Sequence, residues 1–259
     1  MLTLCNIMTE FDIYQKLVIF IFIWAAFTFF FLSKVSAPYG KFKRKGWGPS
    51  IPNNLGWIIF ETPSVVFFAY VFFKGQYANN LVPLIFFTFW QIHYINRTYI
   101  FPLRIKTKGK TTPVLIVLSA IFFTSLNSYI NARWISNFHE YQLDWLKDPR
   151  FIFGSLILLI GIFINMQSDN ILLSLRKPSE TGYKIPNGGL FKFVSGPNYF
   201  GELLVWLGWA VATWSLAGLV FFVFTFSNLF PRALSSHKWY KEKFPEYPKN
   251  RKAIIPGLI

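Results

Sequence analysis

The stretch from Tyr199 to Phe230, YFGELLVWLGWAVATWSLAGLVFFVFTFSNLF, carries Glu202 as its one charged residue in about 32 positions. At 1.5 Å per residue it would make a helix about 48 Å long, against a hydrocarbon core about 30 Å thick. It is too long for one crossing and long enough for two short ones. How often the chain crosses here fixes the side of the bilayer on which the C-terminal tail lies.

Five other runs are apolar and long enough to span: Leu17 to Ser33, Leu55 to Phe73, Leu81 to Leu103, Val114 to Ile135 and Phe151 to Leu175. With alternate loops on one side, Lys34, Lys41, Lys43, Arg44 and Lys45 join Arg104, Lys106, Lys108 and Lys110 there. Arg176, Lys177, Lys184 and Lys192 fall on the same side. The basic tail from Arg232 to Lys252 joins them only if Tyr199 to Phe230 crosses twice, turning near Trp214 to Gly218. Most of the 26 Lys and Arg residues are then cytoplasmic, as the positive-inside rule requires. The expected fold is all-α: a polytopic membrane protein of seven transmembrane helices, with the N-terminus outside and the C-terminus cytoplasmic. Gly188 to Tyr199 is expected to dip toward the membrane under a protein cover.

Composition agrees with this. The chain is 53% hydrophobic, 21% aromatic and only 14% charged, where a soluble domain has roughly 25% charged residues. A net charge of +15 could suggest nucleic acid in a soluble protein. The apolar runs assign it to topology instead, and no nucleic-acid partner is expected. Cys5 is the single cysteine and has no ligand spacing around it. Glu10 and Asp12 precede the first apolar run where a signal peptide would be basic, so Leu17 to Ser33 is read as a retained helix. No internal repeat or linker divides the chain, giving one domain over residues 1–259.

A charge at the centre of a spanning helix costs about 2.5 to 3.5 kcal/mol on insertion scales, so each such residue needs a reason. Arg133 lies near a helix end and is expected to snorkel to the interface. Glu61 lies well inside its run, where hydrocarbon favours a neutral acid able to donate a hydrogen bond. His93 and Arg97 share a helix face, with Tyr94 next round. No second His or Cys stands at metal spacing from His93, so it is read as packed or hydrogen-bonded and no metal is expected. Asn165, Asp169 and Arg176 fall on nearly one face, and Asn198 and Glu202 repeat the four-residue spacing on the next helix. Arg232 and His237 follow the last span. Arginines suit phosphate, and acids and amides suit ribose hydroxyls or a carboxamide. Neither a G-x-G-x-x-G nor a G-x-x-x-x-G-K-[ST] loop occurs, so a nucleotide would be held mainly by side chains.

Three strings carry a family resemblance: Leu175 to Phe191 (LRKPSETGYKIPNGGLF), Asn198 to Glu202 (NYFGE) and Glu246 to Pro256 (EYPKNRKAIIP). With Asn165 to Asp169, Asp148 to Phe151, His93, Tyr94, Arg97 and Glu61 to Ser64, they closely resemble the steroid 5α-reductase family, from about Tyr39 to the C-terminus. The resemblance implies a reductase that takes hydride from NADPH and saturates a carbon–carbon double bond conjugated to a ketone. It implies that Glu61 and Tyr94 polarise the ketone. It assigns cofactor contacts to Tyr39, Asn165, Asp169, Arg176, Tyr183, Asn198, Glu202, Arg232, His237 and Tyr240, mainly within residues 150–259. Two positions depart from the family pattern: Phe60 stands where Gln is common, and Ser236 replaces the first of two histidines.

The expected function is therefore reduction of a 3-oxo-4-ene steroid or similar lipid enone. The substrate would be lipophilic and enter from the bilayer, with membrane lipid as the other partner and no obligate protein partner. The location would be the endoplasmic reticulum membrane in a eukaryote or the inner membrane in a bacterium. A polyprenol or enoyl thioester reductase is the nearest alternative. A membrane methyltransferase is disfavoured by the Arg176 to Phe191 match, and a transporter by the lack of an inverted repeat.

Overall fold

The computed structural model describes residues 8–36, 42, 46–105, 109–175 and 182–259. Among them, five helices are long and apolar enough to cross a membrane. These are α1 (Glu10–Lys34), α2 (Asn53–Phe73), α5 (Val114–Arg133, continued by a π-turn to Phe138), α6 (Pro149–Ser174) and α8 (Leu216–Lys243). Between α2 and α5, α3 (Leu81–Ile95) runs through a π-turn (Asn96–Ile100) into α4 (Phe101–Arg104). The remaining helix is α7 (Pro197–Thr213). The protein is a mostly helical membrane protein.

The long apolar run does divide where expected. Trp214 ends α7 in the left-handed region at φ 46°, and the Ser215 side chain caps α8 by accepting from the Gly218 amide at 2.9 Å. A non-glycine residue there is strained. Arg150 lies over both the Trp214 ring (5.3 Å) and the Trp145 ring (4.5 Å), fixing the turn against the start of α6.

α6 and α7 make the most extensive helix contact in the molecule. The reason is four glycines, paired at seven-residue spacing on each helix. A Cβ on Gly154 or Gly161 would lie 2.3 or 2.5 Å from the amide nitrogens of Ala212 or Val205; one on Gly201 or Gly208 would lie 2.6 or 2.4 Å from those of Asn165 or Leu158. The two backbones therefore touch directly. Small residues gain packing energy in lipid by allowing such an approach.

A short two-stranded antiparallel ribbon, absent from the all-α expectation, organises the other half. β1 (Ser50–Pro52) pairs with β2 (Thr111–Pro113), Ile51 opposite Thr112, and each strand runs straight into a helix, α2 or α5. Asn53 donates its amide to the Lys110 carbonyl and accepts from Thr112 Oγ1 at 2.7 Å. The ribbon starts α2 and α5 side by side, and they remain packed together.

α1 begins earlier than its apolar run, at a capping box formed by Thr9 and Asp12. It packs on α8 through Ile21, Ala25, Ala217, Val220 and Phe224. The early start changes the reading of Arg133. Instead of snorkelling, Arg133 is buried and held by both Glu10 oxygens at 2.7 and 2.6 Å. Gly188 to Tyr199 is covered by the C-terminal segment: Val194 bridges Lys252, and Gly196 donates to the Ala253 carbonyl.

Two predictions follow from this packing. Gly161→Leu or Gly208→Leu should destabilise the protein by about 1 to 3 kcal/mol or more, as overpacking does, seen as a lowered thermal midpoint in detergent. Gly182→Leu, where no atom crowds the Cβ position, controls for the substitution itself but retains a positive-φ penalty. Asp148 caps α6, and its bidentate pair with Arg150 holds its carboxyl at about 2. A depressed folded-state value makes the charge stabilising above the unfolded value, near 3.9, and loses it as pH falls. The stability difference between wild type and Asp148→Asn, which keeps a capping oxygen, should be constant above pH ~5 and vanish near pH ~2.

Candidate active site

The glycine contact between α6 and α7 brings Asn165 within reach of Glu202. Asn165 Nδ2 donates to the Asn198 carbonyl at 3.0 Å and to Glu202 Oε2 at 2.9 Å. The other carboxylate oxygen accepts from Trp206 Nε1 at 2.9 Å and faces His93 Nε2 of α3 at 3.1 Å. One turn beyond Asn165, Asp169 accepts from Arg97 Nη1 at 2.8 Å. Arg97 is also sandwiched by rings, its guanidinium 5.1 Å from the Trp57 centroid and 4.8 Å from that of Phe101. Arg97 stands in the π-turn that follows α3. Such turns recur at functional sites because they rotate a helical face locally.

Tyr94 is buried beside this cluster. Its ring lies between Trp90 (4.9 Å) and Trp206 (5.5 Å), with Ser64 beside the hydroxyl. Glu61, on α2, lies within electrostatic reach of Arg97, Glu202 and Tyr94. Its side chain is half-buried, and among the described residues its carboxyl makes no hydrogen bond. The neighbouring Phe60 ring packs on Trp57 at 5.5 Å, so an aromatic wall stands where the family pattern commonly has an amide.

The result is one nest with three carboxyls, a guanidinium, an imidazole and a phenol, surrounded by Trp90, Trp206 and Phe221. Pairing makes this concentration of charge tolerable, since a buried ion without a partner costs several kcal/mol. Among the described residues no three His, Cys, Asp or Glu side chains are arranged to hold a metal.

A second group gathers where α8 ends. Arg232 Nε donates to the Tyr199 hydroxyl at 3.2 Å. Tyr183 packs on Trp239 (5.0 Å), which packs on Tyr240 (5.2 Å), and the Lys110 ammonium lies 4.9 Å from the Tyr183 centroid. His237 Nδ1 is 2.6 Å from Ser195 Oγ, which also bonds the Tyr247 hydroxyl at 2.6 Å. The residues singled out from sequence thus fall into two groups: Glu61, Tyr94, Asn165, Asp169, Glu202 and the Asn198 carbonyl in the nest, and Tyr183, Arg232, His237 and Tyr240 at the basic end. Tyr39 and Arg176 lie outside the described residues. Sequence reading noted Arg97 and His93 without giving them roles; their partners, Asp169 and Glu202, are some 70 or more positions away in the chain. It passed over Trp57, Ser64 and Trp206, which are lost among the many aromatic and small residues.

The family model described as 3-oxo-5-alpha-steroid 4-dehydrogenase matches residues 110–259. The chain is 46% identical over 233 residues to a steroid 5-alpha-reductase of Arabidopsis thaliana, covering 87% of this chain and 88% of the relative. It is 42% identical over 243 residues to one of Gossypium hirsutum, covering 92% and 94%. It is 44% identical over 230 residues to 3-oxo-5-alpha-steroid 4-dehydrogenase 1 of Rattus norvegicus, covering 88% of each. A match over more than half the chain, with relatives above 40% identity along most of its length, makes this membrane oxidoreductase a member of the 3-oxo-5-alpha-steroid 4-dehydrogenase family.

Proposed function

We propose that this protein uses NADPH to saturate the double bond of a 3-oxo-4-ene steroid, with Glu61 and Tyr94 polarising the ketone. The observation that carries the reading is the nest itself: a carboxyl and a phenol in reach of each other, next to a buried amide–carboxylate pair. The names of the relatives supply the substrate class.

The residues present fit the cofactor. The Asn165 side-chain oxygen and the Glu202 carboxylate offer acceptors suited to the NH2 of a carboxamide, and Asp169 offers acceptors for hydroxyls. Arg232, with Arg176 from the sequence, suits phosphates, and the Tyr183, Trp239 and Tyr240 rings with Lys110 suit a flat base. Tyr39, Asn198 and His237 complete the proposed set, His237 acting through Ser195. When bound, NADPH supplies hydride to the β-carbon of the enone. Glu61 and Tyr94 donate hydrogen bonds to the ketone oxygen and stabilise the enolate-like charge that develops there, and a proton drawn from the aqueous phase is delivered to the α-carbon. Trp90, Trp206 and Phe221 exclude water and strengthen those bonds by lowering the local dielectric.

The same reading places seven helices across the bilayer, counting α3 with its continuation to Arg104 and α7 with the five longer ones. The N-terminus lies outside and the basic end is cytoplasmic, where NADPH is dissolved. The substrate reaches Glu61 from the lipid. α7 is short, and its close seat on α6 replaces the lipid contact that a longer helix would have.

Purified protein in detergent should bind NADPH in preference to S-adenosylmethionine and should reduce testosterone or progesterone, with the product identified by mass spectrometry. Turnover of a polyprenol or an enoyl thioester with no steroid product would sink the substrate assignment. Glu61→Gln and Tyr94→Phe should each lower kcat by about 100-fold or more, within the range that proton donors contribute. The KM for NADPH should stay within about threefold, since neither residue is assigned to the cofactor. Two variants with near-normal kcat would show that other groups polarise the ketone.

A further inference from the structure

α5 crosses the hydrocarbon with Thr124, Asn127, Ser128 and Asn131 on one face, all buried. Polar side chains at that depth need a use. Asn131 spends its carbonyl oxygen on Trp209 Nε1 (2.8 Å) and its amide on Asn127. Thr124 and Ser128 reach across to α2: Thr124 Oγ1 donates to the Phe60 carbonyl at 2.8 Å and Ser128 Oγ to the Pro63 carbonyl at 3.3 Å.

One of those carbonyls lies three residues before Pro63, which sits inside α2, and the other is Pro63's own. Proline has no N–H, so the helix loses a backbone bond at that turn and can bend. From the other side, Trp90 Nε1 donates to the Ser64 carbonyl at 2.7 Å and Gln91 Nε2 to the Val65 carbonyl at 3.1 Å. Thr98 of the π-turn reaches the Glu61 carbonyl at 3.5 Å. Five of the six carbonyls from Phe60 to Val65 thus take a donor from α3, the π-turn or α5. A carbonyl has two lone pairs and accepts such a bond without giving up its helical partner. In the middle of this clamp is Glu61, whose own carboxyl has no hydrogen bond among the described residues to orient it.

We infer that Thr124 and Ser128, opposed by Trp90 and Gln91, are positioning residues that fix the α2 turn around Pro63 and thereby the approach of the Glu61 carboxyl to the ketone. The inference rests on the role proposed for Glu61. The Glu61 side chain starts from this turn, so a small rotation of the turn carries the carboxyl with it. A misplacement on the order of 1 Å is enough to cost up to about 100-fold in rate.

The test is a double-mutant cycle on the full-length protein with testosterone and NADPH, turnover being counted per NADPH-binding site measured by fluorescence. Thr124→Val removes the hydroxyl at nearly constant volume and should lower kcat about tenfold, within the effect of such a misplacement, with the KM for NADPH unchanged. Thr124→Ser should restore it. In the Glu61→Gln background, Thr124→Val should cause no further loss, because the group it positions is gone. Ser128→Ala serves as a second variant and should behave likewise if Thr124→Val fails to fold. A normal kcat in both single variants, or losses that multiply with that of Glu61→Gln, overturns the inference. Near-normal turnover in Glu61→Gln itself overturns the assignment of Glu61, and the two failures are thereby distinguishable.

Discussion

The backbone contact between α6 and α7 is the constraint on which the site depends. In lipid, helices gain nothing from burying apolar side chains against one another, so association rests on close packing and on polar bonds. Gly154, Gly161, Gly201 and Gly208 supply the first and thereby make the second possible. Asn165 is short. It reaches both the Asn198 carbonyl and the Glu202 carboxylate only because Gly201 has no side chain to hold α7 away. From Glu202 the chain of contacts continues to His93 and Trp206, and through Trp206 to the ring of Tyr94.

This order of dependence explains why the charges of the nest survive burial. Arg97 has Asp169, His93 has Glu202, and Arg133 at the other end of the bundle has Glu10. Each pair joins helices distant in the chain, and each would be costly if a helix shifted and left one member alone. Glu61 differs. It shares the field of Arg97 and Glu202 but makes no hydrogen bond of its own among the described residues. The same packing that satisfies the neighbouring acids leaves this one without a hydrogen bond among the described residues.

Much of this was legible in the sequence, and what was legible depended on range. Apolar length gave the helices, and the excess length of Tyr199 to Phe230 gave the break that the structure places at Trp214 and Ser215. The family strings gave Asn165, Asp169 and Glu202, which do converge. The pairing of β1 with β2 was not legible, because three-residue strands paired across some 60 positions leave no periodic trace. Arg133 was misjudged for a related reason: its partner, Glu10, precedes the apolar part of α1, and only the capping box at Thr9 extends the helix that far. The glycine spacing was visible in the sequence, seven residues apart on both helices, but nothing local says that the two sets face each other. The polar face of α5 was passed over, although Thr124, Asn127, Ser128 and Asn131 stand at helical spacing within an apolar run.

The two irregular places in the bundle are neighbours. Pro63 interrupts α2 and the π-turn interrupts the helix that carries Tyr94 and Arg97, and Thr98 of the π-turn contacts the Glu61 carbonyl between them. Proline withholds the N–H that the Ile59 carbonyl would accept, and the π-turn shifts the backbone pairing by one residue, so in the membrane neighbouring helices have to hold both turns in place. Regular helices would have been easier to stabilise there. Two straight helices, however, present side chains only at fixed angles round their axes. A proline turn on one side and a local rotation on the other bring Glu61, Tyr94 and Arg97 within electrostatic reach of one another while their helices continue. The hydroxyl, amide and indole donors around Phe60 to Val65 are then the cost of that geometry, spread over α3 and α5 rather than carried by α2 itself.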